Sequence, residues 1–395
     1  MEKNECFVGL ELCSSAVKLI AGYLLNGQIY VLTSVKDKCN GITDGLIVEP
    51  EAVIKTVKNV INIASRNINM PITEVSLAIP AFNLTCIPDM GSTNTIDGND
   101  IIRHVDTSNI LTQLGKRKLG NPELKIIDIV PDTFILDNKE KYNEEPIGKV
   151  SQVLSLHATI YAINEKVLNS FTSCVNKAGY TVKNTVIAPY ASSLYLSTLK
   201  IIPDNYILVD VGNSVTNISY VNHRNIIGSS RIYRFGSKTI INEVSEQFDI
   251  DLDVAEELVT TYGIDHNLNF ETYIHEGITL DALSDCIMTS LISLTDSIKQ
   301  VIKEVNSEVE LPIVLIGGTS SLNSIKKVIS NELEVDVLDY VMHTLGARDR
   351  SLVTTLGLIK YAAMQPKINE EETITIQVNR VNKKKNETYN FDEEL

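Results

Sequence analysis

Two short stretches carry residues whose types and spacing could do chemistry. The first to notice is ILVDVGNSVTNISY, an apolar strand ending in Asp210, then a turn through Gly212, Asn213 and Ser214, then a second strand. Near the N-terminus, FVGLELCSS sets Glu11 where Asp210 sits, and Cys13, Ser14 and Ser15 where Gly212, Asn213 and Ser214 sit. An acid at a strand's end beside the amides of a tight turn can hold Mg-nucleotide: the amides face the phosphates and the acid holds the metal's waters. Glu11 and Asp210 are therefore the candidate catalytic and water-mediated metal residues, and Lys18 a candidate phosphate ligand. Each has a plainer alternative, a strand-end turn acid for the carboxylates and a partly solvated ion pair for Lys18. A third element follows the apolar run Ile313–Ile316, where Gly317-Gly318-Thr319-Ser320-Ser321 leads into a helix through Leu322, Ile325 and Ile329. Glycine there lets backbone approach a ligand closely.

The elements that must position these residues repeat. Phe7–Leu12, Val17–Leu24 and Gln28–Val35 read as strands, the last two joined by an Asn26-Gly27 hairpin turn. Val53, Val57, Val60, Ile61, Ala64 and Ile68 then recur at helical spacing, Pro71 ends that helix, and Val75–Ile79 is a short buried strand. In the second copy, Ile207–Asp210, Val215–Val221 and Asn225–Tyr233 are strands, and Ile240, Ile241, Val244 and Phe248 mark the helix. Two such units, each presenting a phosphate-type turn, imply two lobes facing one cleft.

Between the copies, residues 83–162 read as a compact α+β segment, with a helix near Asp100–Leu114 and strands at Lys125–Pro131, Thr133–Leu136 and Val153–Ala162. Glu165–Ala178 is a helix closed by Gly179, Val182–Ala188 a strand, and Pro189–Leu199 starts another helix. Helices are also expected at Asp253–Thr261, Leu280–Val305 and Leu352–Ala363. Residues 365–395 change character: acidic Glu370–Glu372, basic Lys383–Lys385 and acidic Asp392–Glu394 make a mobile charged tail, in which Thr373–Val378 alternates like an edge strand.

Bulk properties exclude several classes. The chain has 395 residues, 44% of them hydrophobic, enough for two or more packed lobes. A formal charge of -15 without a long basic stripe argues against nucleic acid as a partner. The six cysteines are scattered without a C-x-x-C pair, which reads as reduced thiols in a cytosolic protein. No stretch has the roughly 18 consecutive apolar residues of a membrane span, and the acidic start MEKNECFVGLEL is not a signal peptide.

The order and wording of these stretches resemble FtsA, the actin-like protein of bacterial cell division, over nearly all of residues 7–364. GLELCSSAVK (Gly9–Lys18) looks like its first phosphate loop, LVDVGNSVTNISY its second and VLIGGTSSL (Val314–Leu322) its adenosine loop. IAPYASSLYL (Ile187–Leu196) and TLGLIKYA (Thr355–Ala362) look like the helices connecting the lobes. Most specific are EVSLAIP (Glu74–Pro80) and EPIGKVSQVLSLHATIYAI (Glu145–Ile163), which flank an insert where FtsA carries its 1C subdomain. The resemblance implies an α/β, two-lobed actin-like ATPase fold with an inserted α+β, SHS2-like 1C subdomain. It divides the chain into the N-terminal part of the first lobe (1–82), 1C (83–162), the first lobe continued (163–204), the second lobe (205–344), a final connecting helix (345–364) and the tail (365–395).

The resemblance also implies a nucleotide site for ATP or ADP with Mg, built from Ser14, Ser15, Lys18, Asp210, Gly212, Asn213, Ser214, Glu256, Gly317, Gly318 and Thr319. This sequence departs from the family there. Asp-x-Gly of the first loop is Glu11-Leu12-Cys13, Gly-Gly-Gly-Thr of the second is Gly212-Asn213-Ser214-Val215, the Lys of a Glu-x-x-Lys helix aligns with Val259, and Thr319 replaces a third adenosine-loop glycine. Each lost charge-assisted contact costs roughly 1.5–3 kcal/mol. The expectation is a weakened site with at most weak ATPase activity, any hydrolysis using a water near Asp210 and Glu11. The expected partners are the C-terminal peptide of FtsZ, bound through the second lobe, and further copies of the chain in dimers or filaments. The expected place is the cytoplasmic side of the cell membrane at the division site. The tail lacks the family's amphipathic helix, which argues against direct membrane binding and leaves a partner protein as anchor. The rival readings are a nucleotide-independent scaffold, a platform like the pilus protein PilM, and a small-molecule kinase of the same superfamily.

Overall fold

The computed structural model describes residues 5–96, 98–265, 272–305 and 310–365. The charged-tail readings, including Thr373–Val378 and Lys383–Lys385, lie outside those residues. β1 (Phe7–Leu12), β2 (Ala16–Leu25) and β3 (Gln28–Lys38) form an antiparallel meander. Asn26 and Gly27 both take positive φ, 50° and 76°, which the tight hairpin between β2 and β3 requires. A small hairpin, β4 (Ile42–Thr43) and β5 (Leu46–Ile47), leads to α1 (Pro50–Asn67), whose proline sits in the first turn where no amide donor is needed. Val53, Val57, Val60, Ile61 and Ala64 form its buried face. The helix stops at Asn67, before Pro71 can act, and β6 (Glu74–Ile79) follows.

The insertion holds β7 (Thr85–Asn94), α2 (His104–Gly115), β8 (Leu124–Leu136), β9 (Lys141–Tyr142) and β10 (Val153–Asn164). The chain then returns through α3 (Glu165–Lys177), β11 (Thr181–Ile187) and α4 (Ala188–Leu196). Gly179 (φ 94°) ends α3 as its position after the apolar face predicts. The second copy comprises β12 (Asn205–Val211), β13 (Thr216–Asn222), β14 (Asn225–Tyr233), α5 (Ser237–Phe248) and α6 (Leu252–Tyr262). After it come β15 (Tyr273–His275), β16 (Ile278–Thr279), α7 (Leu280–Val305), β17 (Ile313–Ile316), α8 (Ile325–Leu333) and α9 (Val353–Met364).

Sheet topology shows the duplication expected from the order of elements, although the two sequences are barely alike. The first sheet runs β11-β6-β1-β2-β3 and the second β14-β13-β12-β17. In each, a meander is extended by a parallel strand beside its first member, β6 on β1 and β17 on β12. Where β11 adds a further parallel strand to the first sheet, the second has only a parallel bridge from Ile313 to Val337. Side-chain alternation divides β12 between two cores. Ile207, Val209 and Val211 pack with α5 and α7, while Tyr206 and Leu208 join the core that contains β1, α4 and α9.

The chain divides into two compact units. Met90–Arg117 with Pro131–Ala158 form one, and both sheets above lie in the other. Inside the smaller unit Ile102, Ile110, Leu114, Phe134 and Leu154 are buried. A Cβ at Gly91 would lie 2.6 Å from the Ile110 side chain, so α2 packs directly on that strand's backbone. Asp106 is fully buried, its carboxylate accepting from the amides of Ile96 and Arg103.

Two sequence readings need correction. Lys125–Pro131 and Thr133–Leu136 are one strand, β8. β8 pairs with β9 at Phe134 and Ile135, so Pro131 lies outside that pairing and its missing amide breaks no bond to β9. The helix expected straight after the glycine turn is delayed: Thr319–Ser321 form a single 3-10 turn, and α8 starts at Ile325, leaving Leu322 outside it.

One buried acid on β8 gives a pH signature. The Asp128 carboxyl accepts from the Ile129 amide and the Tyr361 hydroxyl, but its Oδ2 is buried without a partner. Burial pushes its pKa up to about 6. The unfolded chain therefore releases this proton first as pH rises, and stability falls between about pH 4 and about pH 6. Asp128→Asn should add up to about 2–3 kcal/mol at pH 7.5 and nothing at pH 4, read by urea unfolding at both.

Candidate functional site

Register places the two strand-end acids in matching rows. In the first sheet Glu11 lies opposite Lys18, and Lys18 opposite Lys36, across β1, β2 and β3. In the second, Asp210 lies opposite Asn217, and Asn217 opposite Ile232. Paired residues share a face of a sheet, and all six line one cavity of about 730 Å³. The cationic side of this cavity is therefore the first sheet's row. Asn217 is the structural counterpart of Lys18, a relation visible only once the strands are paired.

The first row is tied together internally. Lys18 Nζ donates to Glu11 Oε2 at 3.3 Å and to the Ser351 carbonyl at 2.7 Å. Thr355 on α9 donates to the same Glu11 oxygen at 3.3 Å, and the Cys13 thiol bonds the Glu11 carboxylate as well. Lys18 and Glu11 are each only 8% exposed, which makes this a buried ion pair. Burial works against the Lys18 charge, but Cys13, Glu11 and Asp210 outweigh it and hold the ammonium's pKa above its usual value. Burial, with Glu11 nearby, pushes the Asp210 carboxyl up to about 6 although Lys18 pulls the other way. Burial and the same acids push the Cys13 thiol up, so it is not a ready thiolate.

The two turns have the same hydrogen bond, Cys13 N–H to Ala16 carbonyl at 2.9 Å and Gly212 N–H to Val215 carbonyl at 3.0 Å. They also touch: the Ser214 hydroxyl donates to Ser14 Oγ at 2.8 Å, and the Gly45 amide donates to that oxygen at 3.3 Å. The start of α5 closes onto the second turn, Ser237 and Lys238 amides donating to the carbonyls of Gly212 and Asn213. Gly236 allows this, since a Cβ there would fall 2.3 Å from the Asn213 carbonyl oxygen.

Gly317 is a second tight point in the cavity wall. It has φ 89°, and an added Cβ would sit 2.4 Å from Asp210 Oδ1 and from the Val211 carbonyl oxygen. Thr319, where the resemblance expects a third glycine, donates its hydroxyl to the Gly212 carbonyl at 2.7 Å, joining this loop to the second turn. Beyond it the cavity is lined by Ile240 and Ile241 of α5 and by Glu256, Val259 and Thr260 of α6.

Of the sequence candidates, Glu11, Ser14, Ser15, Lys18, Asp210, Gly212, Asn213, Glu256, Gly317, Gly318 and Thr319 all line this cavity. Ser214 does not line it and meets it only through Ser14. The sequence reading missed Lys36, Lys38, Asn217, Ser237 and Ser351. Lys36 carries no signal in the turn alone: uninterrupted register from Asn26-Gly27 would set Val35 opposite Lys18, and an irregularity between Ala21 and Gly22 shifts the pairing by one residue to Lys36. Ser351 carries none, being brought in by the turn before α9. Among the described residues no group of three or more His, Cys, Asp or Glu could hold a metal ion directly.

No protein-family model matches the chain. Sequence comparison finds cell division protein FtsA of Streptococcus pneumoniae serotype 2 (strain D39), 22% identical over 382 residues, covering 93% of this chain and 82% of that protein. FtsA of Enterococcus faecalis is 23% identical over 376 residues, covering 92% and 84%. The chain is similar to FtsA over more than nine-tenths of its length, at low identity. Among solved structures, the PilM-PilN type IV pilus biogenesis complex matches with a TM-score of 0.60 at 17% identity, covering 91% of this chain and 99% of that one. MreB5 of Spiroplasma citri bound to AMPPNP matches with a TM-score of 0.50 at 12% identity, covering 96% and 99%. The fold is that of the actin-like ATPases, as the FtsA resemblance implied.

Proposed function

We propose that this chain is an actin-like cell-division adaptor that holds an adenine nucleotide and is switched by it between assembly states. The observation that carries the reading is the convergence of both acid-bearing turns and the Gly317 loop on one cavity, in a chain similar to FtsA across more than nine-tenths of its length. A cavity of about 730 Å³ suits a ligand of nucleotide size. In this reading the phosphates lie by Ser14, Ser15, Lys18, Gly212 and Asn213, near Ser214. The adenosine lies between Glu256 and Gly317, Gly318 and Thr319, with Val259 offering apolar contact where FtsA has a lysine. The bound nucleotide would supply differential contacts that favour one arrangement of the two acid-bearing halves.

In this reading Glu11 is a poorer seat for a water-mediated Mg than the resemblance implies, because Lys18 and Thr355 already donate to its Oε2. With that acid engaged, Asp210 is the remaining carboxylate of the phosphate end among the described residues that could orient a water, and ATP hydrolysis is slow at most. The proposed partners are the C-terminal peptide of FtsZ, bound through the second lobe (205–344), and further copies of the chain, with residues 83–162 as the 1C insertion. The place of action is the cytoplasmic face of the membrane at the division site. A nucleotide-independent scaffold is favoured by one contact, the Ser214–Ser14 hydrogen bond that joins the turns directly. A PilM-like platform is favoured only by likeness of fold.

Calorimetric titration of ATP and ADP, paired with thermal melts, tests the switch. Ligand at about 100 times its dissociation constant should add about 2.7 kcal/mol of stability. No heat and no melting shift at saturating nucleotide would leave the scaffold reading. Co-sedimentation with FtsZ polymers, with and without the FtsZ C-terminal peptide, tests the adaptor role apart from the nucleotide; loss of binding on removing the peptide is expected.

A further inference from the structure

The departures from the family in the first turn are usually read as losses, yet they fit one another. Glu11, longer than aspartate, reaches back to its cross-strand partner Lys18. Cys13, in place of glycine, adds a thiol that bonds the same carboxylate. Thr355 completes the set. The result is a buried ammonium beside Glu11 and near Asp210, on the row where a nucleotide-bound cation would need those acids free.

Three further groups extend that positive side. Lys36 continues the Glu11–Lys18 row and Lys38 lies opposite Ala16; both are exposed, both line the cavity, and neither has an ion-pair partner among the described residues. Ser351 holds Lys18 through its carbonyl, and the Ser351 hydroxyl is buried with no partner although the residue, 5% exposed, lines the cavity. An orphaned buried hydroxyl is costly unless a ligand or water meets it.

We propose that Lys18 stands in for the divalent cation, so that this cavity takes the polyphosphate of a nucleotide without Mg, with Lys36 and Lys38 as the outer phosphate contacts and the Ser351 hydroxyl as an inner one. The proposal rests on the nucleotide reading of the cavity. Lys18 neutralises Glu11, and Asp210 is the remaining acid of the phosphate end. The two free lysines then outnumber it, which suits a multiply charged anion and gives the affinity a strong dependence on salt.

The test is calorimetry of the full chain with ATP, AMP and inorganic tripolyphosphate, each in excess Mg and in EDTA. The expected result is an ATP dissociation constant that changes less than about threefold between Mg and EDTA. The double variant Lys36→Met/Lys38→Met, whose exposed positions leave the core alone, should weaken ATP at least about tenfold and AMP by less than about threefold. Circular dichroism and melts confirm that the variant is folded. ATP binding that weakens more than about tenfold in EDTA overturns the proposal while leaving the nucleotide reading in place. Unchanged ATP affinity in the folded double variant overturns the role of the lysines. Tripolyphosphate bound with the same lysine dependence but ATP not bound would keep the anion site and overturn the nucleotide reading. Binding of neither overturns both.

Discussion

Gly357→Ala should unfold or severely weaken the protein, with a loss of about 3 kcal/mol or more. Gly357 lies on α9 where that helix crosses α4, and an added Cβ would fall 1.7 Å from the Ala191 carbonyl oxygen and 2.3 Å from its carbon. Both are backbone atoms of a helix, so no side chain can rotate away. α9 cannot retreat either. On its other side a Cβ at Gly9 of β1 would lie 2.7 Å from the Thr355 carbonyl oxygen, so strand and helix are already in close contact. The Ser192–Thr354 hydroxyl pair at 2.9 Å and the Lys360 bonds to the Leu194 carbonyl and Ser197 Oγ depend on the same crossing. Urea unfolding measures the effect. Gly120→Ala, where a Cβ meets nothing within 4 Å, is the control and should stay within about 0.5 kcal/mol.

Lys18→Met should cost about 3–5 kcal/mol in the absence of any nucleotide, because it leaves the Glu11 carboxylate buried without its counter-charge. Thr355 and Cys13 still donate to that carboxylate but do not neutralise it. The double variant Lys18→Met/Glu11→Leu should recover most of the loss, since a well-packed apolar pair replaces two desolvated charges. Equal losses in the single and double variants would mean that the lysine stem, rather than the ion pair, holds the turn. Denaturant midpoints for the wild type, both single variants and the double variant complete the cycle.

The sequence showed most of the framework because its signals are local. Asn26-Gly27 fixes a hairpin, Val53 to Ala64 marks a buried helix face, and Asp210-Val211-Gly212 marks a strand end, all within a few residues. The site residues it missed are those set by pairing across distance. Lys36 and Asn217 become cavity residues only through strand register, and Ser351 only through a turn that packs on Lys18, far away along the chain. Substitution patterns also misled at Cys13 and Thr319. Each reads as a lost glycine, yet each supplies a hydrogen bond, to Glu11 and to the Gly212 carbonyl respectively. The separation expected between Lys125–Pro131 and Thr133–Leu136 is absent because β8 runs on through Asp132.

The hydroxyl contact between Ser14 and Ser214 sets an energy scale for motion. Close by, Arg234 Nε meets Asp44 Oδ2 at 3.2 Å, with the arginine side chain 85% exposed. A neutral hydrogen bond and a solvated ion pair together contribute about 1–2 kcal/mol. Releasing both would shift the balance between joined and parted turns by only roughly tenfold. A barrier of contacts this shallow makes the turns easy to bias: a ligand that prefers one arrangement by a modest factor changes which one most molecules occupy.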